Sequence, residues 1–317
     1  MPSRIEDYAV IADCRSLALV AKDGSIDWLC LPRFDSDALF AALLGTPDNG
    51  RWRLAPAGGV KRVRRRYREG TLILETEFET GEGSATVLDM MPIRGEGTDV
   101  LRIVVGNRGR VPMRMELIIR FGYGSVVPWV QRIDGGISSV AGPDCLRLHT
   151  PVRTRGADLK TVADFTVGEG DRVPFVLTWW PSHLPAPAPV EAEPALKETE
   201  AGWRKWTKLC GPAGPYREMV QRSLMTLKAL TYEPTGGIAA AATTSLPEKL
   251  GGRTQLGLPL LLAARRDLCA LRPHDVRLPR RSPALARVVA ARGRRQALAD
   301  PDHVRPRRRT HADRNRA

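Results

Sequence analysis

Paired cysteines are missing from this sequence. Its 5 cysteines (Cys14, Cys30, Cys145, Cys210 and Cys269) are odd in number, widely spread and form no C-x-x-C. That excludes a disulfide framework or a zinc ribbon and fits reduced thiols in a cytoplasmic protein. Long apolar runs are missing too. The stretch from Leu258 to Ala264 is interrupted by Pro259 and falls far short of the roughly 20 residues of a membrane helix. Met1 to Ser16 carries Glu6, Asp7 and Asp13 and lacks the basic start and apolar centre of a secretory signal. Before residue 253 the only histidines are His149 and His183. They share no metal-ligand spacing, so ordinary structural roles are expected. Gly236-Gly237 has no following Lys-Ser/Thr, so no phosphate cradle is completed. Neither a cofactor nor a metal is expected.

The last 65 residues lack more. From Arg253 to Ala317 there is no Lys, Glu, Ile, Met, Phe, Trp or Tyr, but there are 17 Arg against 5 Asp, a net of +12. The first 252 residues hold 32 basic and 30 acidic groups, so the body is nearly neutral and gives no reason to expect nucleic acid. Arg, Ala, Leu and Pro fill 44 of the 65 tail positions. That alphabet reads as GC-rich DNA translated out of frame.

What is present in the body is strand after strand. Leu17, Leu19 and Val20 lead into Lys22-Asp23-Gly24-Ser25, and Ile26, Trp28, Cys30 and Leu31 follow. Asp-Gly between alternating apolar runs predicts a hairpin. Ser36 and Asp37 open a predicted short helix through Leu39, Phe40, Leu43 and Leu44, stopped by Gly45. Further strands are predicted around 72–77, 85–91, 100–105, 113–121, 145–148 and 173–180. The basic run 61–68, K-R-V-R-R-R-Y-R, predicts a solvated strand face. Trp179 and Trp180 are expected in the core. Many short strands punctuated by Gly, Asp, Asn and Pro predict a mainly β, antiparallel sandwich. Five prolines between Pro181 and Pro194 predict an extended linker holding two units apart. Helices follow at about 195–209 and from Pro215, the second with a predicted buried face of Met219, Val220, Leu224, Leu227 and Leu230.

Two long strings carry a resemblance. The opening I-E-D-Y-A-V-I-A-D-C-R-S-L-A-L-V, then D-G-S-I-D-W-L-C-L-P-R-F-D-S and F-A-A-L-L-G, resembles the start of family 15 glycoside hydrolases, the bacterial trehalases and glucoamylase-like enzymes. The string T-Y-E-P-T-G-G-I-A-A-A-A-T-T-S-L-P-E-K-L-G-G, residues 231–252, resembles their entry into the catalytic domain, with Ala242 where a proline is usual. The resemblance implies an N-terminal β-supersandwich and an (α/α)6 barrel that hydrolyses α-glucosidic bonds with inversion. It divides the chain into a sandwich (1–185), a Pro-rich linker with the first barrel helices (186–252) and the Arg-rich tail (253–317). In a full-length relative, loop 32–36 is expected to face the barrel, which makes Arg33, Phe34, Asp35 and Glu248 the expected substrate-proximal residues. Against this stands a plainer role: Arg33 and Asp35 pair with each other and Ser36 caps the helix.

In the family, Leu-Gly-Gly is followed by a string close to V-R-N-W-D-Y-R-x-C-W-L-R-D. Here the chain reads R-T-Q-L-G-L-P-L-L-L-A-A-R-R. Residues 255–265 can be encoded by codons that, read one base later, give Asn-Trp-Asp-Tyr-Arg-Tyr-Cys-Trp-Leu-Arg-Asp. The tail is therefore expected to be a frameshift product without fixed tertiary structure. Both glutamates of the inverting mechanism lie beyond the shift in the family, and no residue here matches either. The expected protein is an inactive fragment whose intact parent takes an α-glucoside, with no partner and no membrane. The reading from another class is a carbohydrate- or nucleic-acid-binding module without catalysis.

Overall fold

The computed structural model describes residues 3–93, 97–209 and 215–246. Strands dominate. In chain order they are β1 (Tyr8–Ala12), β2 (Leu17–Ala21), β3 (Ser25–Cys30), β4 (Ala38–Phe40), β5 (Arg51–Pro56), β6 (Val60–Tyr67), β7 (Leu74–Thr80), β8 (Gly83–Met90) and β9 (Thr98–Ile118). After these come β10 (Trp129–Ile133), β11 (Gly136–Ala141), β12 (Asp144–His149), β13 (Arg155–Ala157), β14 (Lys160–Gly168) and β15 (Arg172–Pro181). Helices α1 (Ala192–Leu209) and α2 (Arg217–Ala229) follow, then a two-stranded ribbon, β16 (Thr231–Tyr232) with β17 (Gly237–Ile238).

All named pairings are antiparallel, and β9 belongs to two layers. Its first half pairs with β8 and β15, in the layer β6-β7-β8-β9-β15-β12-β11-β10. Its second half pairs with β5 and β14, in the layer β1-β2-β3-β5-β9-β14-β13. The expected strands 100–105 and 113–121 are thus one element that changes sheet. The crossing needs glycine. A Cβ on Gly106 would lie 1.8 Å from the Gly168 carbonyl oxygen, and one on Gly109, where φ is +67, would lie 2.2 Å from the Glu82 carbonyl oxygen. The main core fills the space between the layers, with Ile11, Ile26, Leu54, Phe78, Val87, Val104, Met113, Met115 and Phe175 all buried. The mainly β, antiparallel sandwich expected from the sequence is the observed architecture.

β9 also alternates by face. Val100 and Val104 enter the main core, while Leu101 and Ile103 face outward. On that outer face they meet Val190, Ala192, Ala195 and Leu196 from the start of α1. The Pro-rich segment therefore lays the helix directly on the sandwich instead of holding it away. Helix α1 starts at Ala192, earlier than predicted, because Pro194 falls in its first turn, where the missing N–H costs little.

Two local predictions are corrected. Residues 38–44 form β4 and a single 3-10 turn, Ala42–Leu44, instead of a helix. Pairing of Phe40 with Leu29 and of Ala38 with Cys30 buries these side chains better than a surface helix would. On α2 the buried residues are Met225 and Ala229, whereas Met219, Val220 and Leu227 are exposed. The sandwich covers only one side of this helix, so its second apolar stripe has no cover among the described residues. The basic run forms β6 as predicted, with Lys61, Arg62, Arg64 and Arg66 outward and Val63 and Tyr67 packed inward. Trp179 and Trp180 are half-buried. The Trp179 indole donates to Asp144 Oδ1 at 2.9 Å, and the Arg147 guanidinium lies over Trp180.

Candidate functional site

The segment 231–246 folds back onto the hairpin end of the sandwich. Phe34, from the predicted loop, is buried there with Ala12, Cys14, Leu17, Leu72, Trp203, Met225 and Ala229. Its ring meets Tyr232 edge-on at 6.3 Å between centroids. Arg33 lies over the same Tyr232 ring, with its guanidinium carbon 5.1 Å from the ring centre. Nε and Nη2 of Arg33 donate to the two oxygens of Asp35, each at 2.8 Å, and the Arg33 amide donates to Ser36 Oγ. The fork geometry fits a carboxylate. The Asp35 bond and charge hold the Arg33 guanidinium above its ordinary value. So the mutual pairing of Arg33 and Asp35 is present, and the same loop also touches the incoming segment. Glu248 lies outside the described residues.

Three buried or half-buried side chains of the sandwich hold the segment by its backbone and by one hydroxyl. Trp28 Nε1 donates to the Ala242 carbonyl at 2.8 Å, Tyr123 Oη donates to the Ser245 carbonyl at 3.0 Å, and Cys30 Sγ lies 3.3 Å from Ser245 Oγ. Burial pushes the Cys30 thiol up to about 12, so it stays protonated at neutral pH. At the rim Glu233 accepts from Arg15 at 3.3 Å, and its amide donates to the Cys14 carbonyl at 2.8 Å. Helix α2 is fixed by Arg222, whose guanidinium lies 4.1 Å from the centre of the Tyr67 ring and donates to the Thr71 carbonyl. Tyr123, Tyr232 and Ser245 were not singled out from the sequence. Tyr232 and Ser245 both stand inside the 231–252 string, the only signal that pointed to them.

Among the described residues no acid–base pair emerges from the buried carboxylates Asp13, Asp27 and Asp89. Burial lifts Asp13 to about 6, a value suited to proton transfer. Yet Asp13 is enclosed, and its Oδ1 accepts the amides of Arg15 and Ser16 at 2.8 and 2.7 Å. Asp27 accepts from the Tyr8 and Ser25 hydroxyls. Asp89 is bound to Arg102. Each is committed to the fold. Among the described residues, no group of three or more His, Cys, Asp or Glu is placed to hold a metal, and no helix is long and apolar enough to cross a membrane.

A two-layer antiparallel sandwich carrying a docked helical segment is the architecture shared with a bacterial glucoamylase solved with acarbose. The match has a TM-score of 0.52 at 11% identity and covers 76% of this chain and 43% of that one. At such identity the likeness speaks for the fold alone. The family model for trehalase-like N-terminal domains matches residues 1–166, and the chain belongs to that family. It is 35% identical over 274 residues to a trehalase of Mycolicibacterium smegmatis and 34% over 273 to one of Mycobacterium tuberculosis, in both cases 77% of this chain and 40% of the relative. A trehalase of Thermoplasma acidophilum is 34% identical over 245 residues, with 41% of it covered. The chain thus spans about two-fifths of the length of these relatives.

Proposed function

We propose that the chain derives from an inverting α-glucosidase whose intact form hydrolyses α,α-trehalose, and that the 317-residue chain itself does not turn over. The observation carrying the first half is the similarity to proteins named trehalase along 77% of this chain, a stretch longer than the sandwich. Inversion requires a carboxylic acid and a second carboxylate roughly 6.5–9.5 Å apart, with a water between. No residue of this sequence matches the family's glutamates, and the carboxylates of the junction are engaged elsewhere. On this reading residues 1–185 are the sandwich, 186–252 the linker and entry to the barrel, and 253–317 the out-of-frame tail. The protein is cytoplasmic, and Arg33, Phe34, Asp35 and Glu248 stand near the sugar only in the intact parent.

The test is glucose release by the purified chain from trehalose and maltooligosaccharides. No release is expected, because one acid–base group alone is typically worth about 10²–10⁴-fold. Steady turnover by a clean preparation sinks the inactivity claim. Resequencing the gene around the codons for Gly251 to Arg253 tests the frameshift. In the frame-restored protein, Arg33→Ala is expected to raise KM or lower kcat for trehalose while leaving the melting temperature within a degree or so. Unchanged kinetics with a lower melting temperature would make loop 32–36 purely structural.

A further inference from the structure

A groove of about 550 Å³ opens where the two layers run out, and none of the junction residues described above lines it. Strand β10 ends one layer and β13 ends the other, each with a single neighbour among the described residues. The volume is in the range of small-molecule sites, roughly 300–1,000 Å³. Two features set it apart from an ordinary sheet edge.

The first is Arg120, just past the end of β9. It is only 7% exposed and lines the groove. Its Nη1 donates to the carbonyls of Ile119 and Leu159, at 2.8 and 3.3 Å, and no carboxylate pairs with it among the described residues. A guanidinium so buried without a counter-ion is costly, and an anion supplied from outside would relieve that cost. The second is Trp129, at the head of β10, whose indole is 75% exposed beside the groove. An exposed indole is a flat apolar platform with a polar edge. The charge around the two is one-sided. Arg132, Arg155 and Lys160 also line the groove, against Asp158 as its sole lining carboxylate. Arg155 is held by Asp164, and Lys160 lies 3.9 Å from Glu116 and 4.0 Å from Asp48, but among the described residues Arg132 bonds only the Thr154 carbonyl, at 3.1 Å.

We propose that this groove binds an anionic saccharide, with the apolar face of a pyranose ring on Trp129 and its anionic substituent met by Arg120 and Arg132. A planar guanidinium binds a carboxylate or phosphate through paired, charge-assisted hydrogen bonds. Sugar acids and sugar phosphates share this chemistry. The site is independent of the hydrolase reading, since it needs neither catalytic glutamates nor the barrel.

Calorimetric titration of the full 317-residue chain decides it, with glucose 6-phosphate, glucuronate, methyl α-glucoside and inorganic phosphate as separate arms. At least one of the two anionic sugars is expected to bind with a Kd of about 1 mM or lower, with the neutral glucoside at least tenfold weaker. The arm that binds tighter tells phosphate from carboxylate. Trp129→Ala, at an exposed site, and Arg120→Met are each expected to weaken binding tenfold or more. Should circular dichroism show Arg120→Met unfolded, the exposed Arg132→Gln replaces it, with the same expected direction. The proposal is overturned if neither anionic sugar binds, if inorganic phosphate binds as tightly as the sugars, or if Trp129→Ala leaves the affinity unchanged.

Discussion

At the scale of single residues, the interior of the sandwich is held by an ion pair that sequence patterning does not advertise. Arg102 occupies an inward position of β9 directly opposite Asp89 of β8, and both side chains are fully buried. Nε bonds Asp89 at 2.7 Å, the terminal nitrogens bond the carbonyls of Trp52 and Gly24, and the guanidinium lies over the Trp52 ring. One cation thereby ties β8, β9, β5 and the β2–β3 turn together. Removing one partner leaves an uncompensated buried charge, so Asp89→Ala is expected to cost about 3–5 kcal/mol in chemical denaturation; a loss under about 1 kcal/mol would contradict this account. Asp13 makes the opposite case. Burial raises its carboxyl from 3.8 to about 6. Between those values the folded chain keeps a proton that the unfolded chain has released, so this contribution to stability falls as pH rises from about 4 through about 6. Asp13→Asn keeps an acceptor for the amides of Arg15 and Ser16 and removes the ionisation. It is expected to stabilise the chain at pH 7, by up to roughly 3 kcal/mol, and to flatten that pH slope in melting curves. Stability at pH 7 that is unchanged or lower would refute the assignment.

At the scale of elements, legibility followed how local the determinants are. The Asp23-Gly24 hairpin and the alternating basic strand β6 were readable because turn chemistry and a period of two act within a few residues. Residues 38–44 read as a helix in the sequence because their three-residue strand exists only through pairing with β3, in a register that shifts between Leu29 and Cys30 and leaves no period-two pattern. The loop at Arg33 was legible as a candidate, but its contact with Tyr232 spans nearly the whole described chain and could only come from the fold. Helix α2 was legible as a helix, and its apolar stripes were not, because which stripe is covered depends on neighbours. Met219, Val220 and Leu227 remain outward, with Tyr216 beside them. Such contiguous apolar surface promotes association. The double variant Met219→Glu, Leu227→Lys is therefore expected to lower binding of a hydrophobic dye and to slow aggregation, with circular dichroism unchanged. Loss of helical signal in that variant would mean the stripe is packed in solution.

At the scale of the whole molecule, residues beyond 185 take part in packing the sandwich. The outer face of β9, β8 and β15 presents Leu88, Met90, Leu101, Ile103 and Val176, and what buries them is Val190 to Leu196. A second layer of contacts comes from Trp203, fully buried against the β1–β2 end, and from Arg68, which bonds Glu200 of α1 at 3.0 Å. Burying one large apolar side chain stabilises by about 1.5–3 kcal/mol. Val190, Leu196 and Trp203 together should therefore contribute roughly 5 kcal/mol. Each kcal/mol shifts the melting temperature by about 2–4 °C in a domain of this size. A chain ending at residue 185 is thus expected to melt at least 10 °C below one ending at residue 246, and to bind more hydrophobic dye. The difference should collapse in a chain ending at residue 209, which restores α1 but not α2. Equal melting temperatures for the chains ending at 185 and 246 would instead establish the sandwich as self-sufficient, and α1 as a passenger on its surface.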